Sequence, residues 1–356
     1  MVSANATAAT LATAPQQPMA RYHLEFTSFQ HANQAWLSIG HQAVVVFFVL
    51  SGYLVGGSAL RAHRKDALSW RHYFAHRFCR LWTVLWPALL LGLVLDWAGM
   101  KLLHAPANVE GLYRPGYQRL ADGALGLPTF LANAFFLQNI LSDVFGSNAP
   151  LWSLSYEFWY YAFFPFLLVA MATTKSIPAR VASGVILAGM LAFTGWDIAA
   201  YFLIWLMGVG VSVLPLRLPA RLAGIAMAAS SLLLLALTAL ELKHHLPLFA
   251  SDFIAAIATC ALVWCILHAQ EISVGRFYRF CARNLSSMSF TLYLVHFPML
   301  AILSAWLMPI WSPWTMSAAA LVKFSAILAT VFAASWVMYY LFERNTPHIR
   351  KALTGY

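Results

Sequence analysis

Acidic side chains are scarce in this chain, 12 Asp and Glu in 356 residues, and charge of either sign makes up only 10% of it. A soluble domain carries about a quarter of its residues as charges to meet water, so this shortage excludes an ordinary water-soluble fold. Cysteine is scarce too. Cys260 and Cys265 lie inside apolar runs and Cys79 and Cys281 beside arginines, a pattern that fits neither a disulfide framework nor a zinc site. Redox chemistry and a bound metal are therefore not expected. The formal charge of +10 is not gathered on one face but falls between apolar stretches, which excludes a nucleic-acid footprint. The two halves of the chain show no self-similarity, whereas transporters often betray inverted or parallel repeats.

Apolar sequence is what remains. Hydrophobic residues make up 61% of the chain and the mean hydropathy is +0.70, which describes an all-α, polytopic transmembrane helix bundle. Stretches able to cross a hydrocarbon core of roughly 30 Å occur near 41–60, 79–98, 152–172, 179–195, 198–215, 220–240, 250–268, 289–310 and 316–342, which gives about nine spans. The segment "LPTFLANAFFLQNI" (127–140) is apolar but short and carries Asn133, Gln138 and Asn139, so it reads as interfacial or re-entrant, with a tenth span as the alternative. The chain divides into a polar N-terminal segment, 1–40, a transmembrane domain, 41–345, and a tail, 346–356.

Basic residues orient the bundle. The connections at 61–80, 173–180, 216–221 and 269–288 and the tail after 342 hold 16 of the 22 Lys and Arg. Such alternation puts those connections and the C-terminus in the cytoplasm of a multi-pass inner-membrane protein. Nine spans with the tail inside place the N-terminus outside. Yet residues 1–40 carry no basic region followed by an apolar core that could serve as a signal sequence, so a further helix is expected before residue 41.

Glu157 is the first site candidate, because a carboxylate in the greasy run "PLWSLSYEFWYYAFFPF" is costly unless it faces a partner or a wet cavity. Seven residues after Pro150, it sits roughly 10 Å into the membrane from the outer side. There it can orient an imidazole base, hydrogen-bond a ligand hydroxyl, or form a structural hub with Ser153 or Ser155. Trp152, with Trp159, Tyr160 and Tyr161, reads as an interfacial belt or a sugar-stacking platform. His41 opens the first span from outside. His296 lies seven residues into a span that begins inside, which puts the two at opposite leaflets. Ser51 and Gly52 fit a close helix contact, Ser51 being a nucleophile only if a base stands beside it. Lys323 reads as a snorkelling anchor, and Asp96 and Asp197 as ordinary outer helix ends.

Five strings together resemble the successive signatures of the acyltransferase 3 family: "GHQAVVVFFVLSGYLVGG" (40–57), "RFCRLW" (77–82), "PLWSLSYEFWYY" (150–161), "SSMSFTLYLVHFP" (286–298) and "FERNTPHIRK" (342–351). They occur in family order. The resemblance implies a ten-helix membrane enzyme that moves an acyl group, commonly acetyl, from acyl-CoA as co-substrate to a hydroxyl of an extracytoplasmic carbohydrate or glycolipid, with no bound cofactor. It also implies an opening helix with an arginine and, about three turns later, a histidine as catalytic base. Here Arg21 and His31 have loosely similar spacing, but "RYHLEFTSFQHANQAW" contains no apolar run. His31 and His41 therefore both stand as candidates for the imidazole, beside Glu157.

Arg77 and Arg80, at i and i+3, project from one helix face where a span enters from the cytoplasm. Paired guanidinium forks suit phosphate oxygens, and the resemblance implies that they hold the nucleotide end of acyl-CoA; from spacing alone they could be positive-inside anchors. The alternatives to the enzyme are a sugar or lipid transporter or flippase, with Glu157 and Lys323 as coupling groups, and an inactive, N-terminally truncated acyltransferase.

Overall fold

The structure is a computed structural model that describes residues 40–103, 124–214, 219–243, 248–268, 275–307 and 317–354. Its elements are α1 (Gly40–Arg64), α2 (Trp70–Lys101), α3 (Leu127–Ala134), α4 (Leu151–Met171), α5 (Ile177–Val211), α6 (Ala220–Lys243), α7 (Leu248–His268), α8 (Arg276–Leu307), α9 (Ala318–Leu341) and α10 (Thr346–Thr354). No strand occurs among the described residues. That follows from the apolar composition, because a backbone in hydrocarbon must satisfy its N–H and C=O groups within its own segment.

Among the described residues, seven helices are long and apolar enough to cross a membrane, and two shorter apolar helices, Trp196–Val211 and Arg221–Leu237, accompany them. The sequence reads 179–195 and 198–215 as separate spans. In the structure they are the two arms of α5, which meet at Gly195, whose φ of 84° and ψ of 173° break the helix. The first arm starts beside the end of α4, where Arg180 Nε donates to the Ala170 carbonyl. The second arm lies along α1, with Trp205 donating to Ser51 and Ser212 beside Gly57, so the chain reverses at a position only glycine adopts without strain.

Glycine also brings α1 and the second arm of α5 into backbone contact. A Cβ on Gly52 would stand 1.9 Å from the Trp205 carbonyl oxygen, and one on Gly208 would stand 2.0 Å from that of Val49. The close helix contact expected at Ser51 and Gly52 is this crossing, and α1 turns π-helical there, over Gly52–Gly56. Fully buried Phe48, Tyr160 and Trp205 fill the space beside it, packed ring against ring with Tyr156 and Phe202.

The segment after α2 is tied down by polar side chains. α3 has eight residues, about 12 Å of helix, too short to span. Asn133 donates to the carbonyls of Thr129 and Asp143 and accepts from Phe145 N, while Gln138 donates to the Leu151 carbonyl. Both amides are fully buried, so they satisfy loop backbone that lies away from water. Asp96 is a correction to the sequence reading. Rather than an ordinary helix end it is buried, and it accepts from Ser147 N at 2.8 Å and Ser147 Oγ at 2.6 Å, clamping the loop that leads into α4.

Candidate functional site

Two polar clusters lie at different depths of α1. At its start, His41 Nε2 stands 2.7 Å from Asp252 Oδ2 on α7. Asp252 is fully buried, Gln42 donates to its other oxygen at 3.3 Å, and Tyr201 of α5 donates its hydroxyl to Oδ2. The imidazole stacks on Trp152 of α4, with ring centroids 5.7 Å apart and planes 16° from parallel. Residues of four helices therefore converge around one ring. His41 keeps 24% of its side chain exposed, and it lines a cavity of about 290 Å³ together with Trp152, Tyr156, Trp196, Asp197, Tyr201 and Phe249.

Chemically, this is a base with an orienter. A carboxylate hydrogen-bonded to one ring nitrogen fixes the tautomer and stabilises the imidazolium formed when the ring takes a proton.

Ten residues further along α1, about 15 Å by helical rise, Ser51 marks the second cluster. Glu157 is buried there and accepts hydrogen bonds from Tyr161 and, at 3.4 Å, from Ser51 Oγ. Trp205 Nε1 donates to Ser51 at 3.1 Å. Arg80 and Arg77 both act electrostatically on Glu157, and Arg77 also lies over the Tyr161 ring at 6.0 Å. Glu157 is thus set among α1, α2 and α5 beside the arginines, and its hydrogen-bond partners are hydroxyls rather than an imidazole. Ser153 and Ser155, the hub partners suggested by sequence, bond elsewhere: Ser153 to Tyr293 at 2.6 Å, Ser155 to the Phe136 carbonyl. Among the described residues the hydrogen-bond partners of Ser51 are a carboxylate, a phenol and an indole, with no imidazole or amine.

Arg77 and Arg80 lie one turn apart on α2, below this cluster. The Nε of Arg77 is buried and has no hydrogen-bond partner among the described residues. Such an orphaned guanidinium donor is costly unless an acceptor arrives, and a phosphate oxygen is the acceptor it suits. Arg80 lies over the Phe290 ring at 5.8 Å and near Glu343, whose carboxylate is held by the N–H and hydroxyl of Thr291.

His296 is placed differently from the sequence reading. The Asn148 side chain donates to the Leu294 carbonyl, and the Tyr293 hydroxyl donates to the Pro150 carbonyl, so His296 stands near the end where α4 begins. His41, stacked on Trp152, is at that same end, and the two imidazoles do not lie at opposite leaflets. His296 Nδ1 meets the carbonyls of Leu292 and Tyr293 at 3.1 and 2.8 Å; carbonyls only accept, so that nitrogen carries the proton. His31 lies outside the described residues. Asp252 and Tyr201 were missed from sequence. The signal is there in "LFASDFIAAIATC", an acid in an apolar helix, which by the logic applied to Glu157 should have been singled out.

Fold and site together define a multi-pass helical membrane protein with an oriented imidazole toward one end and an arginine pair toward the other. The chain belongs to the acyltransferase 3 family: the family model described as "Acyltransferase domain" matches residues 17–340. That match reaches further toward the N-terminus than the five motif strings and takes in Arg21 and His31. Among curated relatives, the chain is 33% identical to YrhL of Bacillus subtilis (strain 168), whose name assigns it provisionally as a peptidoglycan O-acetyltransferase, over 43% of this chain and 23% of that protein. It is 28% identical to the peptidoglycan O-acetyltransferase OatA of Listeria monocytogenes serovar 1/2a (strain EGD-e), over 41% of this chain and 22% of that protein. The matches therefore span less than a quarter of either relative. No solved structure matches the chain. Membership of that family speaks for the enzyme reading over the transporter reading.

Proposed function

We propose that the protein transfers an acyl group, acetyl in the first instance, from acyl-CoA to a hydroxyl of an extracytoplasmic carbohydrate or glycolipid, and that His41 is the base. The observation that carries this reading is the 2.7 Å His41–Asp252 pair opening on an aromatic-walled cavity. The cavity, at the lower end of the range for small-molecule sites, suits a single sugar ring stacked on Trp152 or Trp196. The acceptor hydroxyl gives its proton to the imidazole as its oxygen attacks the thioester carbonyl. The new C–O bond forms, the tetrahedral intermediate collapses with cleavage of C–S, and the departing thiolate recovers the proton from the imidazolium. Asp252, with Tyr201 and Gln42 holding it, stabilises that imidazolium while the reaction passes through it.

The donor enters from the other side. Arg77 and Arg80 bind its phosphates, and the arm carrying the thioester extends past Ser51 and Glu157 toward His41. Glu157 acts on the arginines through its charge alone: a carboxylate buried in α4 and tied to Tyr161 and Ser51, it offsets part of their repulsion without pairing with either. The names of both relatives refer to peptidoglycan, which makes a cell-wall glycan the first acceptor to try. The test is transfer of radiolabelled acetyl from acetyl-CoA to glycan fragments by the protein purified into nanodiscs. Label on a glycan hydroxyl supports the reading, and movement of intact glycan across a sealed vesicle without acyl transfer overturns it.

The reading also requires an orientation, with the arginine end and the C-terminus cytoplasmic, which the Lys and Arg asymmetry supports. Reporters fused at Lys65 and Tyr278 should then read as cytoplasmic and one at Leu102 as external. Finding Lys65 and Leu102 on the same side would separate the donor and acceptor ends from the compartments assigned to them.

A further inference from the structure

We infer that the C-terminal helix α10 completes the donor's phosphate site, with Arg350 as a third guanidinium beside Arg77 and Arg80. The inference rests on the donor reading of that arginine pair and extends it to an element about 270 residues away in sequence.

α9 ends at Leu341, and the short 3₁₀ turn Glu343–Asn345 leads into α10, which lies against the start of α2. Two contacts fix that placement. Glu343 is anchored to Thr291 of α8 by both the backbone N–H and the hydroxyl. Further along, within α10, Arg350 Nη1 donates to His76 Nδ1 at 2.8 Å, so His76 accepts there and that nitrogen carries no proton. His76 immediately precedes Arg77. Arg350 also acts electrostatically on Cys79, which immediately precedes Arg80. The C-terminal guanidinium is therefore laid along the same stretch of α2 that carries the arginine pair.

Like charges do not gather without a reason. Arg350, Arg77 and His72 all act on His76, and no ion pair among the described residues joins Arg77 or Arg80 to a carboxylate. Glu157 and Glu343, the acids near that pair, are already occupied by hydroxyls and a backbone N–H. The two carboxylates offset the charge of Arg77 and Arg80 from a distance without engaging their N–H donors, which leaves those donors for the oxygens of a polyanion. The orphaned, buried Nε of Arg77 is an independent sign that an oxygen acceptor belongs there. Three guanidiniums from two helices match a ligand with more than one phosphate, because each planar fork pairs with two oxygens. The nucleotide end of acyl-CoA meets that description. A phospholipid headgroup shares the chemistry but offers one diester, and the experiment separates the two.

The test compares the whole protein, Arg350→Ala, Arg350→Lys and Arg77→Ala/Arg80→Ala in nanodiscs of zwitterionic phosphatidylcholine. Two donors are used, acetyl-CoA and S-acetylpantetheine, a thioester that carries no phosphate. Arg350→Ala should raise KM for acetyl-CoA by about tenfold with kcat little changed, Lys should recover part of that, and use of S-acetylpantetheine should stay as in the parent. Equal loss with both donors would make Arg350 a structural strut and overturn the inference. So would an unchanged KM for acetyl-CoA, or an effect that appears only when phosphatidylglycerol is added to the discs. If Arg77→Ala/Arg80→Ala weakens acetyl-CoA and Arg350→Ala does not, the inference fails alone. If the double variant is without effect while Arg350→Ala raises KM, the donor reading of the α2 pair fails and the phosphate contact at Arg350 stands.

Discussion

Changing His41 to Ala should lower kcat for acyl transfer by about 10²–10⁴-fold, the range a positioned acid–base group supplies, while leaving KM for acyl-CoA close to the parent value. His41 lies about 15 Å along α1 from Ser51, the residue that meets Glu157, so it makes no contact with the donor end. Asp252→Asn should follow it with a smaller loss, on the order of tenfold or more, because the amide keeps a hydrogen bond to the ring but gives up the charge that stabilises the imidazolium. Tyr201→Phe should cost less again. The comparison with Glu157→Gln is what decides the orienter. If Glu157→Gln lowers kcat alone while Asp252→Asn is silent, the carboxylate assigned to the base is the wrong one. If His41→Ala retains parental activity, the base lies at another imidazole, with His31 and His296 the first to test.

At the opposite end, replacing both Arg77 and Arg80 with Ala should raise KM for acyl-CoA by one to two orders of magnitude, about 1.4–2.8 kcal/mol of lost binding, with a smaller effect on kcat. Lys at both positions should restore only part of it, since an ammonium offers point charge without the planar fork. Glu157→Gln belongs with this pair: by removing the charge that offsets the arginines' mutual repulsion it should change donor KM rather than kcat, and it should add little to the double variant. Unchanged acyl-CoA binding by the double-Ala protein would return the arginines to the role of interfacial anchors, and with it would go the assignment of the donor end.

Much of this protein is legible in one dimension. The shortage of charge and the lengths of the apolar runs require helices that satisfy their own backbone in lipid, and the alternation of Lys and Arg constrains how the passes are counted. The division into 179–195 and 198–215 is legible because the apolar stretch is too long for one span and Asp197 reads as a helix end within it, whereas only the structure shows that the chain breaks at Gly195. The arginine pair is visible because i and i+3 share a helix face whatever the fold. Glu157 is visible because an acid in a greasy run is conspicuous by itself.

Partners are not legible, because they are chosen across helices. Asp252 lies 211 residues from His41, and only the packing of α1, α4, α5 and α7 brings the two within a hydrogen bond. The same packing gives Glu157 to Ser51 and Tyr161 instead of a histidine, and raises His296 to the end of the bundle where His41 lies. Periodicity reports which face of a helix is apolar but not its height against its neighbours. Height here is set by Gly52 and Gly208, whose missing side chains let α1 and α5 touch backbone to backbone, and by the buried amides that seat the loop before α4. Sequence by itself therefore determined the class, the apolar stretches that become helices and the residue types able to do the chemistry. The tertiary structure alone decided which carboxylate serves which imidazole, because a hydrogen bond is settled over a few ångströms between helices whose relative heights one-dimensional spacing does not contain.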